Sequence, residues 1–204
     1  MAKPRPTFGG KAEQFQSEFW AKDTMNMNIK AQPVAATFID QARKFFSDEY
    51  LPKLERCLER LTDEQIWWRA NENSNSIGNL LLHLSGNARQ WIVCGLGGAN
   101  DARVRQEEFS ERRVIPREEL LLTVRQTLAD VDTVLSEFDR GQLLESYPIQ
   151  GSTVTALEAI FHVTEHFSMH TGQIILLTKL LTESDLGFYD FSTGAPVHAW
   201  LEQE

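Results

Sequence analysis

Four stretches of this sequence place apolar residues three and four apart, and no stretch of comparable length alternates them one by one. Spacing of three and four gathers side chains on one face of a helix, whereas a half-buried strand needs a period of two. The first stretch spans Ala36 to Leu61, with Phe38, Ala42, Phe45, Leu51, Leu54, Leu58 and Leu61 on its stripe. Pro52 interrupts it, so a kink or two abutting helices is expected there. The second runs from about Ser76 to Leu96 through Ile77, Leu80, Leu81, Leu84, Ala88, Trp91 and Ile92, and ends at Gly95, Gly97 and Gly98. The third opens near Pro116, with Glu118 and Glu119 in a first turn where negative charge suits the helix dipole. Its stripe is Leu121, Val124, Leu128, Val131, Leu135 and Phe138, a 3,4 alternation suited to bundle packing. The fourth begins at Thr155-Ala-Leu-Glu158, a capping-box pattern, and runs to about Leu181. Its end, Ile174 to Leu181, is apolar on nearly every side, as expected of the most buried helix. These patterns predict an all-α four-helix bundle.

The flanks read differently. Residues 1–32 form an N-terminal extension, broken by Pro4, Pro6, Gly9 and Gly10, either partly disordered or laid over a partner's surface. The bundle occupies 33–186, and 187–204 is a tail expected to pack on it. Thr62-Asp-Glu-Gln65 is a second capping box, opening a short turn with Trp67 and Trp68. A long polar connection with Arg103, Arg105, Glu107, Glu108, Phe109, Arg112 and Arg113 joins helices two and three, and Gly141 and Pro148 mark the exit loop of helix three. At 204 residues the chain fits one domain with its own core.

Charge narrows the partners. A net charge of −9 repels phosphate backbones and anionic lipid surfaces, and no Lys/Arg cluster overrides it locally, so neither nucleic acid nor a membrane is expected. No run approaches the roughly 18 apolar residues of a membrane span, and nothing resembles a signal peptide, which makes the cytoplasm the expected location. Cys57 and Cys94 form no CxxC pair and read as small buried hydrophobes in a reducing compartment. No GxSxG, HExxH, Walker or GxGxxG pattern is present.

The histidines carry the chemistry. His162, His166 and His170 follow one another at i, i+4 steps in the fourth helix. Residues four apart stack on one helix face about 5–6 Å apart, close enough for two imidazoles to share an ion at about 2.0–2.1 Å. All three cannot do so easily, because eight residues carry His170 about 12 Å along the axis from His162. One adjacent pair therefore ligates, if any does. His83, alone in helix two, borders that helix's apolar face beside Leu80 and one turn before Asn87, and is the obvious third donor. Three histidines with an open coordination position is the arrangement of a catalytic or ligand-binding ion. The competing reading is stacked, hydrogen-bonded histidines with no ion at all. Glu165 points about 100° away from His166, a place for outer-shell support rather than for ligation, Cys94 lies about 16 Å from His83 along its helix, and His198 reads as a surface residue.

The string His166-Phe-Ser-Met-His170-Thr-Gly-Gln173-Ile174, preceded by Leu-Leu-His83-Leu-Ser-Gly-Asn87, resembles the DinB-like superfamily, over roughly Phe38 to Leu181. The resemblance implies a four-helix bundle with an up-down-down-up course and a long second crossover, paired as a homodimer. It implies a divalent transition metal, zinc or nickel, held by His83, His166 and His170. His162 and Asn87 then become pocket or outer-shell residues, and Gln173 hydrogen-bonds around the site. The family often carries Arg where this chain has Thr171. The activity implied is that of a metal-dependent enzyme on a small-molecule substrate, either a transferase using a low-molecular-weight thiol or a hydrolase. The alternative is a non-catalytic metal- or small-ligand-binding stress protein.

Overall fold

The computed structural model describes residues 33–192 and 194–200, so the extension expected over 1–32 lies outside the described residues, as do the last four residues of the tail. Four long helices dominate. The first, α1, covers residues 33–59 in three parts: 33–44, a wide π-type turn at Phe45–Tyr50, and Leu51–Glu59. After a short capped helix, α2 (Asp63–Ile66), α3 runs over Ile77–Ala88 and continues as a second π-type turn, Arg89–Cys94. The crossover carries α4 (Arg105–Ser110); α5 is Arg117–Glu137 and α6 is Ala156–Thr182.

Side-chain pairs give the course. Arg43 meets Asp132 and Glu55 meets Arg125, so α1 and α5 are antiparallel. Phe46 packs on Phe167 at 5.3 Å between ring centroids, while Cys57 lies beside Thr178 about three turns further along each helix, so α1 and α6 are parallel. His83 meets His166 and Asn87 meets His162, which makes α3 antiparallel to α6. The order is up-down-down-up. Two successive helices pointing the same way require a long return, and the polar segment between Gly95 and Pro116 supplies it.

The core follows the sequence stripes with two shifts. All six stripe residues of α5, from Leu121 to Phe138, are buried. On α1 the inward ring is Phe46, and Phe45 is 37% exposed. The core face there runs Ile39, Ala42, Phe46, Tyr50 and Leu54. The wide turn is the break that Pro52 forces: the Leu51 N–H reaches back five residues to the Phe46 carbonyl. Pro52 has no N–H to offer the Asp48 carbonyl, which accepts instead from Trp200 Nε1 at 3.1 Å. The end of α6 is not buried all round, because Leu176 and Leu180 stay exposed. The α3–α6 register places the start of α3 near the level of Gly172, so the last turns of α6 run past it and are covered by α1.

Two small hairpins occur where no strand was expected. β1 (Ser146–Ile149) pairs antiparallel with β2 (Ser152–Thr155) through Gln150 and Gly151, both at positive φ, and this hairpin leads directly into the Thr155 cap of α6. β3 (Tyr189–Asp190) pairs with β4 (Val197–His198) in the tail. Strands of two to four residues are too short to show alternation in a sequence. His198, expected at the surface, has a side chain only 18% exposed, set against Trp200 and 2.9 Å from Glu49. Among the described residues, no helix is long and apolar enough to cross a membrane.

Candidate metal centre

The site sits in the seam between α3 and α6, roofed by α4. Ser76 and Asn79 close a reciprocal cap at the start of α3, which fixes the phase of a helix that buries nearly its whole circumference. That phase aims His83 at α6 and leaves it 4% exposed, deeper than the border position its spacing suggested. On α6, Val163, Phe167 and Ile174 turn into the core, which swings His162, His166 and His170 toward α3.

Ligand-capable nitrogens of His83, His166 and His170 all lie within 4.8 Å of one another, and among the described residues no other such group of His, Cys, Asp or Glu occurs. His166 Nε2 is 2.8 Å from His83 Nε2. The rings of His83 and His170 meet edge to face at 5.2 Å, and those of His166 and His170 at 4.5 Å. A small side-chain rotation would separate the donors to about 3.3 Å, the spacing of two nitrogens held about 2.0–2.1 Å from one tetrahedral ion. His162 stands outside the group. Its Nε2 faces Asn87 Nδ2 at 3.2 Å and its ring lies 4.2 Å from that of Trp91. Asn87 Oδ1 is buried without a hydrogen-bond partner.

Two hydrogen bonds decide which nitrogens face inward. His170 Nδ1 donates to Gln173 Oε1 at 2.8 Å, leaving the Nε2 lone pair free. His83 Nδ1 lies 2.8 Å from Glu108 Oε2. Burial pushes the Glu108 carboxyl up, but its bonds to Arg103 and His83 outweigh that and hold it below the usual carboxylate range. An ionised carboxylate only accepts, so His83 carries a proton on Nδ1, which leaves Nε2, the nitrogen facing His166, as its ligand-capable atom. Arg103 Nη2 also approaches His83 Nδ1, at 3.2 Å, but two donors cannot share a bond. That approach is the by-product of the Arg103–Glu108 pair. His166 is pushed down to about 3 by burial and then by His170, His83 and His162, and burial lowers His170 and His162 as well. The imidazoles of α6 are thus kept neutral, the form that binds metals. Three imidazole nitrogens converging without a thiolate or carboxylate could hold a metal ion.

Spacing offered the histidines of α6 and the family resemblance chose His166 and His170 beside His83, but neither pointed to Glu108 and Arg103, whose side chains are 11% and 6% exposed. They belong to the crossover, where runs of charge ordinarily stay solvated. One signal was present. Gly86 lies between His83 and Asn87 on a buried helix, where a missing side chain marks a close approach by another element. Cys94 is half-buried, not fully buried, and its thiol donates to the Asn100 carbonyl at 3.4 Å; Cys57 is buried and its thiol is pushed up to about 11. Glu165 is exposed and Thr171 is buried. A cavity of about 500 Å³ opens behind Arg103 and Glu108, lined also by Gln90, Cys94, Asp101 and Arg113; none of the three histidines lines it.

The antiparallel α3–α6 seam, with one histidine facing two, lies inside an up-down-down-up bundle, and this is the DinB-like fold. The chain belongs to the family described as "Protein of unknown function (DUF1572)", which matches residues 33–194. Among solved structures, the crystal structure of a conserved protein from Enterococcus faecalis is similar at 15% identity and a TM-score of 0.57, covering 76% of this chain and 98% of that one. A DinB-like protein from Bacillus cereus is similar at 16% identity and a TM-score of 0.52, covering 65% of this chain and 85% of that one. At such identities these likenesses show the fold alone. No curated protein matches the sequence.

Proposed function

We propose that this protein is a metal-dependent enzyme acting on a small molecule, with zinc or nickel held by His83, His166 and His170. The observation that supports this reading is the convergence of three imidazoles, two of them with Nε2 freed by a bond at Nδ1. Three protein ligands leave at least one coordination position for an exchangeable group. When bound, such an ion lowers the pKa of a coordinated water or thiol and so supplies a nucleophile at neutral pH.

The residues of the chain have separable parts in this scheme. His83 and His170 present fixed donors, and His166 completes the set. Asn87 and His162 form the polar wall one turn along the seam, where the free Asn87 Oδ1 accepts a hydrogen bond from a ligand N–H or O–H. Glu108 is no general base. Both its oxygens already accept from Arg103, and one also accepts from His83. With Glu108 taken up in this way, the exchangeable ligand would itself supply the nucleophile, a low-molecular-weight thiol in a transferase or water in a hydrolase. The likeness to DinB-like proteins also proposes a homodimer.

Metal analysis of untagged protein tests the reading. About one equivalent of zinc or nickel is expected in the wild type, and none in His83→Ala or His166→Ala variants that keep the wild-type helical circular dichroism. An unaltered protein that takes up neither metal at neutral pH would remove the basis for any metal-dependent activity. Retention in both variants would move the site elsewhere.

A further inference from the structure

The crossover between α3 and α5 is held against the histidine seam by an ion pair that neither helix contributes. Arg103 grips Glu108 through two bonds, Nε to Oε1 at 2.6 Å and Nη2 to Oε2 at 2.9 Å. The pair is itself anchored. Arg103 Nη1 donates to Gln90 Oε1 at 2.8 Å, Gln90 Nε2 donates to Asp101 Oδ2 at 2.8 Å, and the Arg103 backbone N–H closes on Asp101 Oδ1. Asn79 Nδ2 holds the backbone on the other side, donating to the carbonyls of Glu108 and Glu111. At the end of this chain of contacts stands His83, held at Nδ1 by Glu108 and covered by the Phe109 ring at 4.6 Å.

Gly86 makes the arrangement sterically feasible. A Cβ at that position would overlap Glu108 Oε1 and come within 2.9 Å of Arg103 Nε. Both atoms are locked in the ion pair, so neither can retreat without breaking it. Helix α3 has given up a side chain, one turn from His83, where the pair must lie.

We propose that Glu108, clamped by Arg103 and seated in the notch at Gly86, is a positioning residue that sets the tautomer and ring orientation of His83 and thereby the metal affinity of the centre. The inference rests on the metal reading above and deepens it. A carboxylate behind a ligating histidine fixes the ring and raises its basicity, and loss of such a partner typically costs about 10–100-fold in metal affinity. Arg103 moderates the effect by sharing the carboxylate's charge and prevents Glu108 from rotating into the coordination sphere.

The test compares wild type, Glu108→Gln and Gly86→Ala. Glu108→Gln keeps the shape and removes the charge; Gly86→Ala keeps both charges and removes the notch. Zinc affinity is measured by competition with a chelator, and the His83 tautomer in metal-free protein by long-range ¹H–¹⁵N NMR. Expected are a proton on Nδ1 of His83 in the wild type, a tautomer mixture in both variants, and zinc affinity about 10–100-fold weaker in both. Wild-type affinity and tautomer in both variants overturn the positioning role while leaving the metal centre standing. Weakened affinity with an unchanged His83 tautomer also overturns it, since the loss would then be structural. A wild type that takes up no zinc overturns the metal reading, and this inference falls with it.

Discussion

Helix α6 has two working sides, built on different physics. Toward α1 it presents Val163, Phe167, Ile174 and Thr178; Phe167 is fully buried, with the rings of Phe46 and Tyr50 at 5.3 and 6.0 Å. Toward α3 it presents His162, His166 and His170, polar rings held neutral in a seam that excludes most water. The first side stabilises through area removed from water and is indifferent to direction. On the second, each nitrogen must point one way, and the groups that aim them come from a third element, the crossover. One helix therefore carries stability on one face and the candidate chemistry on the other, and the two should be separable by mutation.

The largest separation is expected from Phe167→Ala. Emptying that site should cost about 3–5 kcal/mol in urea unfolding, with metal content unchanged. A parallel loss of metal in protein that is still folded would mean that the two faces are coupled. Gly86→Ala sets two effects of opposite sign against each other. Helix propensity favours Ala by about 1 kcal/mol, while overpacking against a fixed ion pair costs about 1–3 kcal/mol. Net destabilisation is expected by thermal melting, and a gain would show that the Arg103–Glu108 pair gives way easily.

Acid should act on the histidine side. His166 resists protonation until about pH 3, whereas in the unfolded chain it takes a proton near its ordinary value of 6.5. Between those values the unfolded state binds a proton that the fold refuses, so metal-free protein should lose stability as pH falls through that window. His166→Asn removes this linkage, and its melting temperature should fall less steeply over the same range. Identical slopes would place the acid sensitivity elsewhere.

Smaller effects should fall away from both faces. Thr155→Ala deletes the cap whose oxygen accepts from the Glu158 N–H at the start of α6. It should cost about 1 kcal/mol by chemical denaturation, without changing metal uptake. Arg125→Ala breaks an exposed pair with Glu55 between α1 and α5. Its expected cost is at most about 1 kcal/mol, reduced further by salt.

Periodicity alone determined most of the bundle, because burying an apolar stripe is a local property of each helix. The stripe of α5 and the two caps at Thr62 and Thr155, though not the reciprocal cap at Ser76, were legible for that reason. So were the positions of His166 and His170, which one helix turn relates. Their facing His83 was suggested by its solitary place in α3 and by family resemblance; its distance of 2.8 Å from His166 depends on the α3–α6 register, which no single segment encodes. Tertiary structure also decided what local pattern could not. It turned Phe46 rather than Phe45 inward, left Leu176 and Leu180 exposed beyond the start of α3, and seated His198 under Trp200. Above all, it took Glu108 from a charged connection that reads as solvated and set it behind His83. A charge run has no period to betray its partner, and a buried ion pair exists only where the chain has already folded a cleft around it.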